Sequence, residues 1–459
     1  MRAFQITSQT ATAFLVRLFG LGLMYLCTVV AANCLGAEQF GVFSSVVSLS
    51  PIWAVIAAGG VDFFATKSIA TISDRHSIEI AREVALSHAV AMVGILAGLV
   101  TISLLVVLAV DWGVAEVKYT VLIQCMFIFP LILLMNMRQY VALALTNASN
   151  SMLPAQIVLP TVFLAVLTVA HAYVPEMSAQ FVVIAYSGAT LAAVISGIIL
   201  IRRTISISEI LFLPLGFRDA FDRLASGRTF LMASVAIMIM SNAATVLLGF
   251  LMDFESAGVF FAALRIAGLA YIPLNVIEQV VMPPAAKFHS VGAHQELSNL
   301  ARSATTLSFM GGISVTLLLA FFHKPILAAF GKDFSGAGPV LLILLAGFAI
   351  CAVTGPKVSL MRMTALEREC SICYFIASLA LLLTVYVTTR FAGILAVAVS
   401  YALISVTLDT ALCVILWKKR DLLLLPYKPG ILLARLNRTG WRQASFNEKM
   451  RLVRNMLSS

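Results

Sequence analysis

The chain has 459 residues, of which 61% are apolar and only 11% charged, with a formal net charge of +10 and a mean hydropathy of +1.00. A soluble domain usually carries about a quarter charged residues, so this composition excludes a water-soluble globular enzyme and identifies an integral membrane protein. Apolar runs of roughly 20 residues recur along all but the last ~40 residues, which predicts an all-α membrane protein rather than a barrel.

Taken in chain order, these runs predict twelve spans, at about 13–35, 40–62, 85–110, 119–146, 153–174, 178–201, 229–252, 256–282, 303–323, 337–362, 370–389 and 393–417. The first is not expected to be a cleaved signal, because its apolar run is too long and a second span follows at once. Basic residues of the short loops set the orientation. One side collects Lys67, Arg75, Arg82, Arg202, Arg203, Arg218, Arg223, Arg228, Lys287, Arg302, Arg362 and Arg368, and the other only Lys118, Lys324, Lys332 and Arg390. Both termini are therefore expected in the cytoplasm.

After Trp417 the character changes. The tail carries ten Lys/Arg against Asp421 and Glu448, a charge of +8. Leucines interleaved with Arg435, Arg438 and Arg442 suit an amphipathic segment on anionic headgroups, and a partly disordered stop-transfer tail fits equally well. Nucleic-acid binding is not expected. The resulting division is an N-terminal six-helix lobe (1–201), a cytoplasmic linker (202–228), a C-terminal six-helix lobe (229–417) and a basic tail (418–459).

An internal repeat supports two lobes. LGAEQFGVFSSVVSL from Leu35 aligns with MDFESAGVFFAALRI from Met252 at a constant offset of 217, matching Glu38 with Glu255, Gly41 with Gly258, Val42 with Val259 and Phe43 with Phe260. Six spans intervene, an even number. The lobes are thus expected to be parallel repeats about a pseudo-two-fold axis along the membrane normal, flanking a cavity.

Charged residues inside spans are costly and mark functional sites by default. Arg265 lies about ten residues, ~15 Å, inside its span, too deep to snorkel easily. Gly258 and Gly268 are expected to leave room around its guanidinium. Its bland alternative is an ion pair with Asp409 or Glu278. Arg17 near the start of span 1, Arg138 within NMRQY and Lys357 after Gly355-Pro356 complete the candidate set. Each has a structural alternative: snorkelling for Arg17, a polar packing cluster for Arg138, and a helix kink with a snorkelling lysine for Lys357. Asp409, the clearest intramembrane acid, is expected to neutralise Lys357 or Arg138 in preference to carrying a coupling proton. A cationic cavity suits an anionic substrate, above all phosphate, whose oxygens accept paired arginine donors. Cys370 and Cys373 form C-x-x-C without further metal ligands nearby, so neither a metal nor any other cofactor is expected.

The stretch VRLFGLGLMYLCTVVAANCLGAEQFGVFSSVVSLSPIWAVIAAGGVDFFATKSIA resembles the polysaccharide transport (Wzx-like) family of oligosaccharide-lipid flippases, as does AGVFFAALRIAGLAYIPLNVIEQVVMPPAAKFHSVGAHQEL. The resemblance covers residues 10–417 and implies the multidrug/oligosaccharidyl-lipid/polysaccharide (MOP) fold shared with MATE exporters and the lipid II flippase. It also implies a bacterial inner-membrane protein that moves undecaprenyl-diphosphate-linked oligosaccharide outward for surface polysaccharide synthesis (O-antigen, capsule or exopolysaccharide). Arg17 and Arg265 match the family's diphosphate-binding cations in kind. Beyond the lipid-linked oligosaccharide and membrane lipids, a polysaccharide polymerase and chain-length regulator are the implied partners. A MATE-like cation-coupled antiporter is the alternative reading. A membrane polymerase or glycosyltransferase would need catalytic carboxylates or a large external loop, and neither is seen in the sequence.

Overall fold

The computed structural model describes residues 2–61, 69, 77–145, 148–173, 177–202, 217–422, 424 and 426. Among them every regular element is helical. The helices are α1 (Arg2–Ala58), α2 (Ser77–Asp111), α3 (Glu116–Leu145), α4 (Ala148–Leu153), α5 (Leu159–Tyr173), α6 (Ala179–Ile201), α7 (Phe217–Leu251) and α8 (Phe254–Gly268). They continue as α9 (Ile272–Ser290), α10 (His294–Phe321), α11 (His323–Ala328), α12 (Gly338–Val353), α13 (Lys357–Met363), α14 (Glu367–Phe391) and α15 (Gly393–Arg420). Most of the expected linker 202–228 and nearly all of the tail lie outside the described residues.

Eleven segments are long and apolar enough to cross a membrane, one fewer than the sequence predicts. The difference lies in α1. Its apolar stretch, Leu15–Ala58, runs 44 residues, ~66 Å of helix against an apolar membrane thickness of ~30 Å, and so is long enough for two crossings. The division is a single residue, Gly36, with φ 69° and ψ 172°, a backbone region that costs a residue with a Cβ. Spans 1 and 2 are thus separated by a break rather than by the four-residue loop expected at 36–39. The restarting helix is capped from far along the chain: Ala37 N–H donates to Asp333 Oδ2 at 3.2 Å, and Asn33 Nδ2 donates to the Ala329 carbonyl. At the same offset of 217, Met252 and Asp253 form the non-helical join between α7 and α8.

The repeat has a packing consequence. A Cβ on Gly41 would overlap the Phe254 carbonyl, and one on Gly258 would lie 2.5 Å from the Ala37 oxygen and 2.9 Å from Gly41 N. The two repeat-matched glycines therefore bring α1 and α8 backbone to backbone. Gly258 accordingly serves helix contact, not space around Arg265, correcting that part of the sequence reading. Gly258→Ala is expected to cost about 1–3 kcal/mol by overpacking, whereas Gly268→Ala, whose Cβ would meet nothing within 4 Å, should be tolerated. Equal unfolding temperatures for the two purified variants would contradict this.

By contacts the chain forms two compact units: Met1–Ala262 with Leu327–Ser335, and Ala263–Ile326 with Gly336–Ser459. In the first, α1 packs on α3 and α7, and α3 on α6. Its interior is aromatic: Phe43 stacks on Phe163 at 5.9 Å, Phe163 meets Tyr186 edge-on at 5.3 Å, and Phe40 contacts Phe261 and Phe334. In the second, α15 packs on α12 and α14, and α9 on α10, with Tyr271 edge-on to Phe348 at 4.9 Å. Outward faces stay apolar, as lipid requires. Arg82–Asp111, the most apolar segment, has the smallest buried share of its window, 17%.

Candidate functional site

Arg265 stands on α8 with eleven residues before it and thirteen after it in the segment Phe254–Glu278. Its neighbours Ala262, Ala263, Ile266 and Ala267 are all 0% exposed, yet Arg265 itself is exposed. One helix stripe is thus packed tight while the arginine, on another side of the same turns, stays accessible. The α-helix then ends at Gly268, and a 3-10 turn, Leu269–Tyr271, leads into α9 with Pro273 in its first turn. The sequence reading took this segment as one continuous helix; Gly268 followed by Pro273 was the available signal for the change of pitch. Tyr401, on α15, lies within electrostatic reach of Arg265.

Lys357 has a different environment. As expected from Gly355-Pro356, the helix is interrupted: α12 stops at Val353, Gly355 takes φ 60°, and α13 restarts at Lys357. The lysine is 3% exposed. Its Nζ lies 2.5 Å from Asp409 Oδ2, donates to Thr354 Oγ1 at 2.9 Å and approaches the Cys351 carbonyl at 3.5 Å. Asp409 therefore neutralises Lys357, one of the two roles weighed for it, and the ammonium is enclosed with three oxygen partners. Such a lysine is not presented to an incoming anion in this conformation. Glu278, on α9, faces Ser359 with Lys357 and Arg362 in electrostatic range. The result is a buried polar cluster inside the second unit.

The other two candidates belong to the first unit. Arg17 is half-buried on α1. Arg138 is half-buried on α3, where its Nε is enclosed without a hydrogen-bond partner. It lines a cleft with Gln139, Asn150 and Ser151. Sequence reasoning missed further buried polar side chains in this unit. Ser45, Ser48, Gln124 and Thr245 are buried, and their side-chain oxygens have no hydrogen-bond partner. Ser and Thr at those positions read as ordinary small packing residues. Among the described residues no group of three or more His, Cys, Asp or Glu side chains is placed to hold a metal, and Cys370 and Cys373 are free thiols.

Comparison with known proteins places this geometry. Of solved structures, an inward-facing multidrug resistance MATE family transporter of the MOP superfamily superposes with TM-score 0.70 at 14% identity, over 89% of this chain and 98% of that one. The lipid II flippase MurJ, in an inward closed conformation, gives 0.64 at 14% identity, over 98% and 96%. The MATE multidrug transporter DinF-BH gives 0.62 at 15% identity, over 91% and 97%. At these identities the likeness establishes the fold alone: the all-α MATE-like architecture expected from the spans. No curated protein matches the chain. The family described as polysaccharide biosynthesis protein matches residues 6–289, well over half the chain, and the protein is therefore a member of that family.

Proposed function

We propose that the protein flips undecaprenyl-diphosphate-linked oligosaccharide repeat units from the cytoplasmic to the outer leaflet of a bacterial inner membrane, for surface polysaccharide synthesis. The observation that carries the reading is Arg265: an exposed arginine halfway along a membrane segment whose adjacent stripe is fully buried. An exposed cation at that depth is costly unless an anion or a water-filled cavity receives it. A guanidinium offers paired donors to the oxygens of a diphosphate. Arg17 adds positive charge that no carboxylate neutralises among the described residues, whereas Lys357, held by Asp409, is left out of the binding set. We further propose that the repeat halves form two lobes that rock about a pseudo-two-fold axis near Gly41 and Gly258, with alternating access to a central site. Moving about two negative charges outward is favoured by ~4–5 kcal/mol at 100 mV, so the membrane potential can help drive the step.

A fluorescent or radiolabelled lipid-diphosphate oligosaccharide, followed by its accessibility in proteoliposomes, tests the reading. Outward movement that depends on the protein supports it; movement of small organic cations with no effect on the lipid would overturn it in favour of an antiporter. The same assay addresses the tail. Truncation after Arg420 removes residues outside the matched family region and is expected to leave most of the transport rate, because the tail's role is attachment to anionic headgroups. Complete loss of flipping with normal insertion would show that the tail belongs to the mechanism.

A further inference from the structure

The cleft around Arg138 has features that a transport cavity does not require. Arg138 is seven residues from the end of α3 at Leu145, about 10 Å below that helix end. Asn150 and Ser151 begin the next membrane segment, Asn150–Tyr173, so the polar groups gather where two consecutive helices meet the membrane face. The cleft itself is narrow, and a volume of about 280 Å³ is reached only by counting the open space in front of it. A π-helical turn, Pro154–Val158, forms one wall; Leu159 N–H bonds the Pro154 carbonyl five residues back instead of four. Such turns interrupt a helix and recur at functional sites. Opposite, Gly197 contributes no side chain, and a Cβ there would lie 3.6 Å from Arg138 Cβ and 3.7 Å from Pro154 Cγ.

The electrostatics are one-signed. No hydrogen bond or ion pair engages Arg138 among the described residues, and its enclosed Nε has no acceptor. Its titratable neighbour is His88, whose Nδ1 lies 2.7 Å from the Val84 carbonyl and whose Nε2 is enclosed without a partner. A snorkelling arginine would carry its whole head into water. Here part of the head is walled in and its enclosed donor waits for an acceptor. Burying a donor without a partner is unfavourable, and an arriving oxygen would relieve that cost.

We propose that this cleft is a binding site for the phosphate of a membrane lipid, separate from Arg265, in which Arg138 donates to the phosphate oxygens, Gln139, Asn150 and Ser151 supply polar contacts, and the apolar walls accept the start of the lipid chain. The depth and the apolar walls favour a lipid phosphate over a soluble one. The same chemistry is offered by an anionic phospholipid and by a polyprenyl diphosphate, and it does not depend on what the protein transports.

The full chain, purified in detergent, is titrated with phosphatidylglycerol, undecaprenyl diphosphate, inorganic pyrophosphate and the zwitterionic phosphatidylcholine, with bound ligand counted by native mass spectrometry. Wild-type protein should retain phosphatidylglycerol, and Arg138→Gln should bind it about tenfold or more weakly. Gly197→Leu keeps the charge and fills the cleft, so it should weaken binding similarly; it decides the matter if Arg138→Gln fails to insert. Tighter binding of undecaprenyl diphosphate that is lost in Arg138→Gln would identify the site as a waiting position for a lipid-diphosphate, and tighter binding of phosphatidylglycerol lost in the same variant as a structural-lipid site. Wild-type affinity in Gly197→Leu, equal retention of phosphatidylcholine, or tighter binding of free pyrophosphate than of either lipid overturns the proposal.

Discussion

Arg265→Ala is expected to lower lipid-diphosphate flipping by about two orders of magnitude while leaving the unfolding temperature almost unchanged. The two halves of that expectation have separate physical sources. The transport loss follows if the guanidinium holds a diphosphate through paired, charge-assisted hydrogen bonds, since removing one partner of such a contact costs about 2–5 kcal/mol and each 1.4 kcal/mol is tenfold. The small stability effect follows from exposure. Arg265 projects from a helix whose packing is carried by Ala262, Ala263, Ile266 and Ala267, and truncating an exposed side chain usually changes stability by no more than ~0.5 kcal/mol. Lysine should rescue in part, because it restores charge but not the planar fork. A stable alanine variant that flips at the wild-type rate would remove Arg265 from the mechanism.

The readable part of this molecule was what depends on one helix at a time. Span positions follow from the length of apolar runs, and the observed segments fall within a few residues of the expected ones except at Gly36, where one runs into the next, at His294, where a helix starts well before the expected 303, and at Val353, where one stops well short of the expected 362. There the sequence gives little warning, because the cap is supplied by Asp333, nearly three hundred residues away. The offset of 217 was visible as four matching residues; that two of them, Gly41 and Gly258, touch each other was not. Glycine in a membrane helix reads equally well as room for a ligand or as room for another backbone, and the choice depends on the facing helix. The candidate cations divide in the same way. Depth along a helix is legible at 1.5 Å per residue, and it singled out Arg265 correctly as mid-span. Which side of a helix faces an acid on another helix requires interhelical register. Thus Lys357 and Arg138 looked alike in sequence, yet one is enclosed with Asp409 and the other opens on a cleft.

That pairing leads to the second large effect, this one on stability. Asp409→Ala is expected to destabilise the protein by about 3–5 kcal/mol, because it leaves the Lys357 ammonium buried without its counter-charge. The remaining hydrogen-bond partners, Thr354 Oγ1 at 2.9 Å and the Cys351 carbonyl at 3.5 Å, are neutral dipoles, and Glu278 acts on the lysine only through space, so the lost Coulomb term is not fully offset. The consequence is local as well as global. Lys357 is the first residue of α13, just past the Gly355-Pro356 interruption, so the ion pair fixes the restarted helix against α15. Without it the short helix loses the contact that sets its direction. Replacing both partners by apolar residues of similar size, Lys357→Met with Asp409→Leu, removes both desolvation penalties together and should recover most or all of the stability. Thermal unfolding of the purified single and double variants measures the coupling directly. A single variant within ~1 kcal/mol of wild type would show that the lysine finds water or another acid when Asp409 is absent. The double variant also separates architecture from transport: if it is stable and flips lipid, the pair only holds the broken helix in place, and if it is stable but inactive, the charges must separate during the transport cycle.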